Sequence, residues 1–259
     1  MTQAQPIPPR SIDSSGRWTG FYLGGNVGYG TTRGGGSETC LNSVTNSTSG
    51  CDIINSPALS TSGVFGGGQL GYIMPLSGLN LPLGPNTPPL MLGVEADIQP
   101  SGISGTQKAN GPFNFVGFPG FSCSPCSFSA SQQIDWFSTV RGRIGVPVDD
   151  FLFYGTGGIM LGSIRASQSL NFLGSPQGNI GTVKRGADGP VFGGGVEVLL
   201  PGPFSAKFEG LYYDLGDLKT VGLPVNGAPT NFTDFKTFGF HGAIFRAGIN
   251  MKLGGLGGT

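Results

Sequence analysis

Charge is scarce in this chain. Only 11% of its 259 residues are charged, against about a quarter in ordinary soluble domains. The 14 basic and 14 acidic residues cancel. No stretch concentrates Lys or Arg, so nucleic acid finds no electrostatic footprint. No run of about 18 apolar residues occurs, which excludes a transmembrane helix. It does not exclude a membrane barrel, whose strands are short and alternating. The start, MTQAQPIPPR, has no charged segment followed by an apolar core, so no signal peptide is read there. Histidine occurs once, as His241, with no nucleophile elbow or zinc-binding motif beside it. The glycine runs lack a following helix and a Gly-Lys-Ser/Thr, which excludes phosphate-binding loops. Catalytic residues, metal ligands and a cofactor are therefore not expected.

Cysteine is also sparse. Cys40 and Cys51 share one Ser/Gly-rich segment, and Cys123 and Cys126 share another. Even, local pairs suggest disulfides and an oxidising compartment, hence an exported chain whose signal has been removed. The rival readings of CSPC at Cys123–Cys126 are a redox motif, which normally opens a helix, and half of a zinc site, which usually has a second CxxC.

What the chain has in quantity is glycine and alternation. Its 49 glycines follow no G-X-Y period, so collagen is excluded. In the stretch 135–146, DWFSTVRGRIGV, Ile134, Trp136, Val140, Ile144 and Val146 share one parity, and Asp135, Phe137, Arg141 and Arg143 share the other. A period of two predicts a strand with one apolar and one charged face. Seven further runs read as strands, over 17–30, 63–74, 90–99, 151–165, 191–200, 204–215 and 240–253. Connections after the first, third, fifth and seventh runs are long. Those around Asp149 and at Pro201-Gly202-Pro203 are tight, and residues 75–89 form a longer, Pro-rich turn. Short turns at one end and long loops at the other are the asymmetry of an outer-membrane barrel. The expected fold is all-β, an eight-stranded antiparallel transmembrane β-barrel with short periplasmic turns and four long extracellular loops. It would span residues 17–253, after a flexible periplasmic leader (1–16) and before a Gly-rich tail (254–259).

In such a barrel the charges point inward. Glu95, Asp97, Arg141, Arg143, Glu197, Lys207, Glu209 and Arg246, with Lys252, share the inward parity of their strands. On the lipid face an Arg or Lys would cost about 2–4 kcal/mol at the midplane. A luminal salt-bridge network is expected, because a buried charge needs a partner. Paired catalytic carboxylates at Glu95 and Asp97 are a weaker reading, since arginines of the next strand neutralise them. Glycines inside the strands make room for the long charged side chains in a narrow lumen. In the segment 100–130, taken as the second extracellular loop, Phe113, Phe115, Phe118, Phe121 and Phe128 crowd together, and Lys108 is the only charge from Gln99 to Ile134. This loop either folds over its own barrel mouth or contacts a second copy or another surface component.

Seven ordered blocks carry a resemblance: WTGFYLGGNVGYG (18–30), GVEADI (93–98), STVRGRIG (138–145), LFYGTGGI (152–159), FGGGVE (192–197), AKFEGLYYDLG (206–216) and FRAGINMKL (245–253). They resemble the small outer-membrane β-barrel proteins of alphaproteobacteria, the porin-like outer membrane immunogenic protein family. The resemblance implies a monomeric-type barrel with structural, envelope-integrity and host-facing roles and no catalytic residues. The chain departs from that family at Leu253, where an aromatic residue usually ends the chain, and in its loop cysteines and Phe-rich segment. The expected function is that of a structural outer-membrane protein in contact with outer-membrane lipid, with surface interactions through its loops and a homo-oligomer among them. A small passive pore is the alternative. A rim enzyme using His241 and a soluble lipocalin-like carrier stand behind it.

Overall fold

The computed structural model describes residues 15–34, 38–42, 47–49, 59–76, 90–114, 122–172, 175, 177–228 and 232–253. Most of the leader (1–14) and the tail (254–259) lie outside the described residues. A single helical turn, α1 (Ser15–Trp18), precedes the strands. These are β1 (Gly20–Gly34), β2 (Glu38–Asn42), β3 (Ser47–Ser49), β4 (Leu59–Pro75), β5 (Met91–Pro100), β6 (Ser104–Asn114), β7 (Ser122–Val148), β8 (Phe151–Phe172), β9 (Gly178–Leu199), β10 (Phe204–Val225) and β11 (Phe232–Lys252).

Eight antiparallel strands close a ring in the order β1-β4-β5-β7-β8-β9-β10-β11, and the pairing of β11 with β1 completes it. Closure pairs the edges that an open sheet would leave bare. The remaining strands build on one rim. β2 and β3 form a hairpin on β11, and β6 continues the course of β5 along β7 after a break at Ser101–Ile103.

The outward residues draw the membrane belt. Phe21, Leu23 and Val27 on β1, Val140 and Ile144 on β7, Phe153 and Ile159 on β8, and Phe245 and Ile249 on β11 are all exposed. Tyr29, Trp136 and Tyr212 mark its upper edge and Phe21, Phe151 and Phe204 its lower edge, as aromatic girdles do in such barrels. The belt takes about 9–11 residues of a tilted strand. The strands are far longer: β7 has 27 residues and β8, β9 and β10 have 22 each. The surplus lies beyond the upper girdle, so the barrel wall rises well clear of the membrane.

Much of what the sequence suggests as loop is therefore wall. Above the belt the facing of polar and apolar residues inverts. Cys126, Phe128, Ala130, Ile134, Ile164, Ala166 and Leu170 are buried in a core with Phe65, Ile103, Phe137, Phe238, Phe240 and Ile244. The residues between them on β7 and β8, such as Ser131 and Ser167, lie on the outer side and bond to each other at 2.6 Å. Water surrounds this part of the wall, so the ordinary inside-apolar rule returns.

A bulge at Asp135 joins the two regimes. The β7–β8 register shifts between Ile134 and Trp136. Ile134 is 1% exposed while Trp136 is 42% exposed. The expected common face for Ile134 and Trp136 is thus overturned, because one extra residue re-aims the strand.

The lower end is closed by Trp18, which is buried with Tyr22, Ile73, Met91, Leu152 and Tyr154. Arg17 Nη1 donates to Asp150 Oδ1 at 2.6 Å, tying α1 to the β7–β8 turn. Ser15 and Gly16, read from sequence as leader, belong to this turn of helix. Inward glycines make room for larger neighbours, and the clearest case is Gly71, where a Cβ would meet the hydroxyl of Tyr22, a tyrosine rather than one of the expected charged side chains, at 2.2 Å. The neighbouring triplet splits, with Gly67 inward and Gly66 and Gly68 outward, because facing alternates along a strand.

Candidate functional site

The site with the most chemistry is the lumen at belt height. Eight charged side chains enter it from five strands. Glu95 and Asp97 come from β5, Arg141 and Arg143 from β7, Glu197 from β9, Lys207 and Glu209 from β10, and Arg246 from β11; all are 5% exposed or less. Four cations meet four carboxylates, and the contacts form one connected set.

Some contacts link neighbouring strands. Arg141 and Glu95 are direct cross-strand partners and are bonded. Arg246 Nη2 lies 2.6 Å from Glu209 Oε2, its partner across β10 and β11. Others cross the lumen. Lys207 Nζ donates to both oxygens of Glu95 at 2.8 Å. Arg141 Nη1 donates to Glu209 Oε1 at 2.8 Å, Arg246 Nη1 to Asp97 Oδ2 at 2.9 Å, and Arg143 Nη2 to Glu197 Oε2 at 2.8 Å. Planar guanidinium groups suit this work, since each offers five donors in a fixed fork. Lys252, expected among the inward charges, sits half-buried near the lower rim.

Neutral groups complete the set. The Tyr22 hydroxyl donates to Glu95 Oε2 at 2.7 Å and accepts from Arg143 Nη1 at 2.8 Å. The Arg143 guanidinium lies 3.8 Å over the Tyr154 ring. Thr139 Oγ1 donates to Asp97 at 2.7 Å, and Ser205 and Asn250 donate to Glu197 at 2.6 and 2.8 Å. Sequence reasoning put Asn250 on the parity of Arg246 but passed over Tyr22 and Tyr154. Strand parity could have found them, since Tyr22 lies between the lipid-facing Phe21 and Leu23.

A second polar group sits higher, inside the extension. Asp234 is fully buried on β11. Its carboxylate accepts from Gln168 Nε2 at 2.6 Å and Asn179 Nδ2 at 3.0 Å. Thr220 Oγ1 donates to Gln168 Oε1 at 2.7 Å. Gly222 leaves the space, for a Cβ there would stand 2.0 Å from Asp234 Oδ1. Burial pushes the Asp234 carboxyl above its ordinary range, and the Asn179 hydrogen bond opposes that rise only in part. Lys236 Nζ lies 5.0 Å from the Phe128 ring centroid.

The other sequence candidates fall elsewhere. Phe128 is 2% exposed inside the wall of β7. It cannot join an exposed loop cluster, because the alternation of Cys126–Ile134 turns it inward. Phe113 lies on β6, though its side chain, like Phe115, Phe118 and Phe121, is outside the described residues. Cys126 is buried and is not a free thiol. Cys51 and the side chains of Cys40 and Cys123 are outside the described residues. His241 lies opposite Arg33 on β1 and Asp214 on β10, and the Asp214 carboxylate accepts from the Gly216 amide at 2.8 Å. Among the described residues no group of His, Cys, Asp and Glu has the arrangement of a metal site.

No family model matches the chain. Two curated relatives, the 31 kDa outer-membrane immunogenic proteins of Brucella melitensis and Brucella suis, are each 28% identical over 238 residues, which is 91% of this chain and 84% of theirs. Among solved structures it is similar to the outer membrane protein OprG from Pseudomonas aeruginosa, at 11% identity, covering 91% of this chain and 97% of that one, with a TM-score of 0.46. It is also similar to the outer membrane protease OmpT from Escherichia coli, at 13% identity, covering 90% and 97%, with a TM-score of 0.45. With an eight-stranded closed barrel, an apolar outer belt and a charged lumen, the chain is a homologue of the Brucella 31 kDa outer-membrane immunogenic protein and a β-barrel of the outer membrane.

Proposed function

We propose that this chain is a structural, non-enzymatic outer-membrane protein that contributes to envelope integrity and makes surface contacts through its loops. The carrying observation is the set of ion pairs that bind opposite walls of the lumen, Lys207 to Glu95 and Arg246 to Asp97. Such bonds stiffen the barrel and fill the space through which a solute would pass. A passive pore is disfavoured by the same bonds, by Trp18 below them and by the Phe65–Phe137 pair above them, whose ring centroids are 5.0 Å apart. A soluble carrier is disfavoured by the exposed apolar belt. The non-enzymatic reading draws support from the Brucella relatives, which are outer-membrane immunogenic proteins.

The loop contacts rest on Phe113, Phe115, Phe118 and Phe121, with self-association as the form proposed. The pairings Cys40–Cys51 and Cys123–Cys126 belong to the same proposal. Deleting the protein from its host should sensitise cells to bulky detergents. Wild-type chain should restore resistance, and so should H241A. Unchanged resistance on deletion would contradict the structural role, and failure of H241A alone would favour an enzyme.

A further inference from the structure

Just above the belt, on the outer side of β7, β8 and β9, lies a cationic patch that the lumen does not use. Arg165 on β8 and Lys184 on β9 are direct cross-strand partners. Like charges placed so repel each other unless an anion joins them. One anion is present within the chain. Asp135 Oδ2, at the β7 bulge, takes Lys184 Nζ at 2.9 Å, Arg165 Nη2 at 3.4 Å and Ser163 Oγ at 3.4 Å. Arg185, the next residue on β9, pairs with the buried Ile164 and so has the opposite facing; its Nη2 donates to the Asp217 backbone carbonyl at 3.2 Å. Asp188 lies lower on β9, opposite Leu161. On the outer face, two cations share the single Asp135 carboxylate, which leaves that group with one net positive charge.

Its height decides what it meets. Ser163 pairs with Trp136, the aromatic residue that marks the upper edge of the belt. Arg165 is two residues above Ser163, and its side chain is 47% exposed, as is 55% of Lys184. These groups therefore face the headgroup layer rather than bulk water or acyl chains. Trp and Tyr rings sit at that level, and basic residues there are held by anionic lipid. On the adjoining strand β10 the same height carries Asp214 and Asp217, so the cations are gathered on one side of the wall.

We propose that Arg165 and Lys184 form a seat for the phosphate of an anionic lipid headgroup in the outer leaflet. A phosphate oxygen would accept from the guanidinium and ammonium donors that Asp135 leaves turned outward. Arginine meets phosphate in paired hydrogen bonds, and lysine adds a point charge. Such a lipid would balance the positive charge that Asp135 leaves over and fix the depth at which the barrel floats.

The test uses the full chain, refolded in neutral detergent, with dimyristoyl phosphatidic acid as probe and retained lipid read by native mass spectrometry. Dimyristoylglycerol has the same chains without phosphate, and inorganic phosphate has no chains. Heat-dependent gel migration verifies that each variant is folded. R165Q/K184Q should bind phosphatidic acid roughly 30-fold more weakly, about fivefold for each cation removed. R165K/K184R should retain binding, K219Q should bind as the wild type does, and dimyristoylglycerol should not distinguish the variants. Equal retention of phosphatidic acid by wild type and R165Q/K184Q would overturn the proposal. So would an equal loss in K219Q, which marks general charge attraction. Inorganic phosphate displacing the lipid at equal concentration would also overturn it, because the seat would then serve a free anion.

Discussion

Arg141 makes the plainest case at the scale of single residues. It bonds Glu95, Asp97 and Glu209 and has no exposure to water. Arg141→Ala removes a cation shared by three carboxylates and leaves four carboxylates against three cations in a low-dielectric lumen. A loss of about 3–5 kcal/mol is expected, as when one partner of a buried ion pair is removed. Arg33→Ala, at an exposed position on β1, should change little. Urea unfolding followed by tryptophan fluorescence measures both, and equal shifts of the two midpoints would contradict the network. Asp234 makes a prediction about pH. Its folded carboxyl is raised, so the folded chain keeps that proton to a higher pH than the unfolded chain does. The stability it contributes is full below the ordinary carboxylate range and falls as pH rises through the raised value. Asp234→Asn should flatten that part of the melting profile. An unchanged profile would mean that this carboxyl does not govern it.

The elements divide into a lipid-facing half and a water-facing half, and substitution should locate the boundary. Val140→Lys lies within the belt on β7 and should destabilise by about 2–4 kcal/mol. Ser131→Lys, on the outer side of the same strand above the bulge, should be nearly neutral, and equal effects would misplace the belt. Removing Asp135 deletes the bulge and forces residues 122–134 to exchange faces. Phe128 and Ile134 would then meet water, so hydrogen exchange in β7 above residue 135 should accelerate strongly while residues 139–145 stay protected. Protection lost or kept along the whole strand would argue against the bulge as the joint. Alternation alone made the belt halves of the strands legible, because lipid demands an apolar outer face. The upper halves carried an equally regular signal in Cys126-Ser-Phe128-Ser-Ala130-Ser. It reads as loop when an apolar outer face is required throughout, since here the apolar parity turns inward. The bulge had no sequence signal, and it decides where one rule gives way to the other.

At the scale of the whole molecule, parity told which charges enter the lumen but not which of them meet. Lys207 and Glu95 stand on opposite walls, 112 positions apart. Only ring closure and strand stagger bring them together, and those are properties of the assembled barrel. The same closure predicts resistance to detergent until boiling, seen as a shift in gel migration between heated and unheated samples. The central claim is that this closed barrel is also filled, by Trp18 at the base, the ion pairs at belt height and the aromatic core above. Conductance in planar lipid bilayers tests it most directly, using chain shown by gel shift to be folded and by protease protection to be inserted. The account predicts no discrete current steps at neutral pH. Regular, reproducible steps from the folded wild-type chain would contradict it.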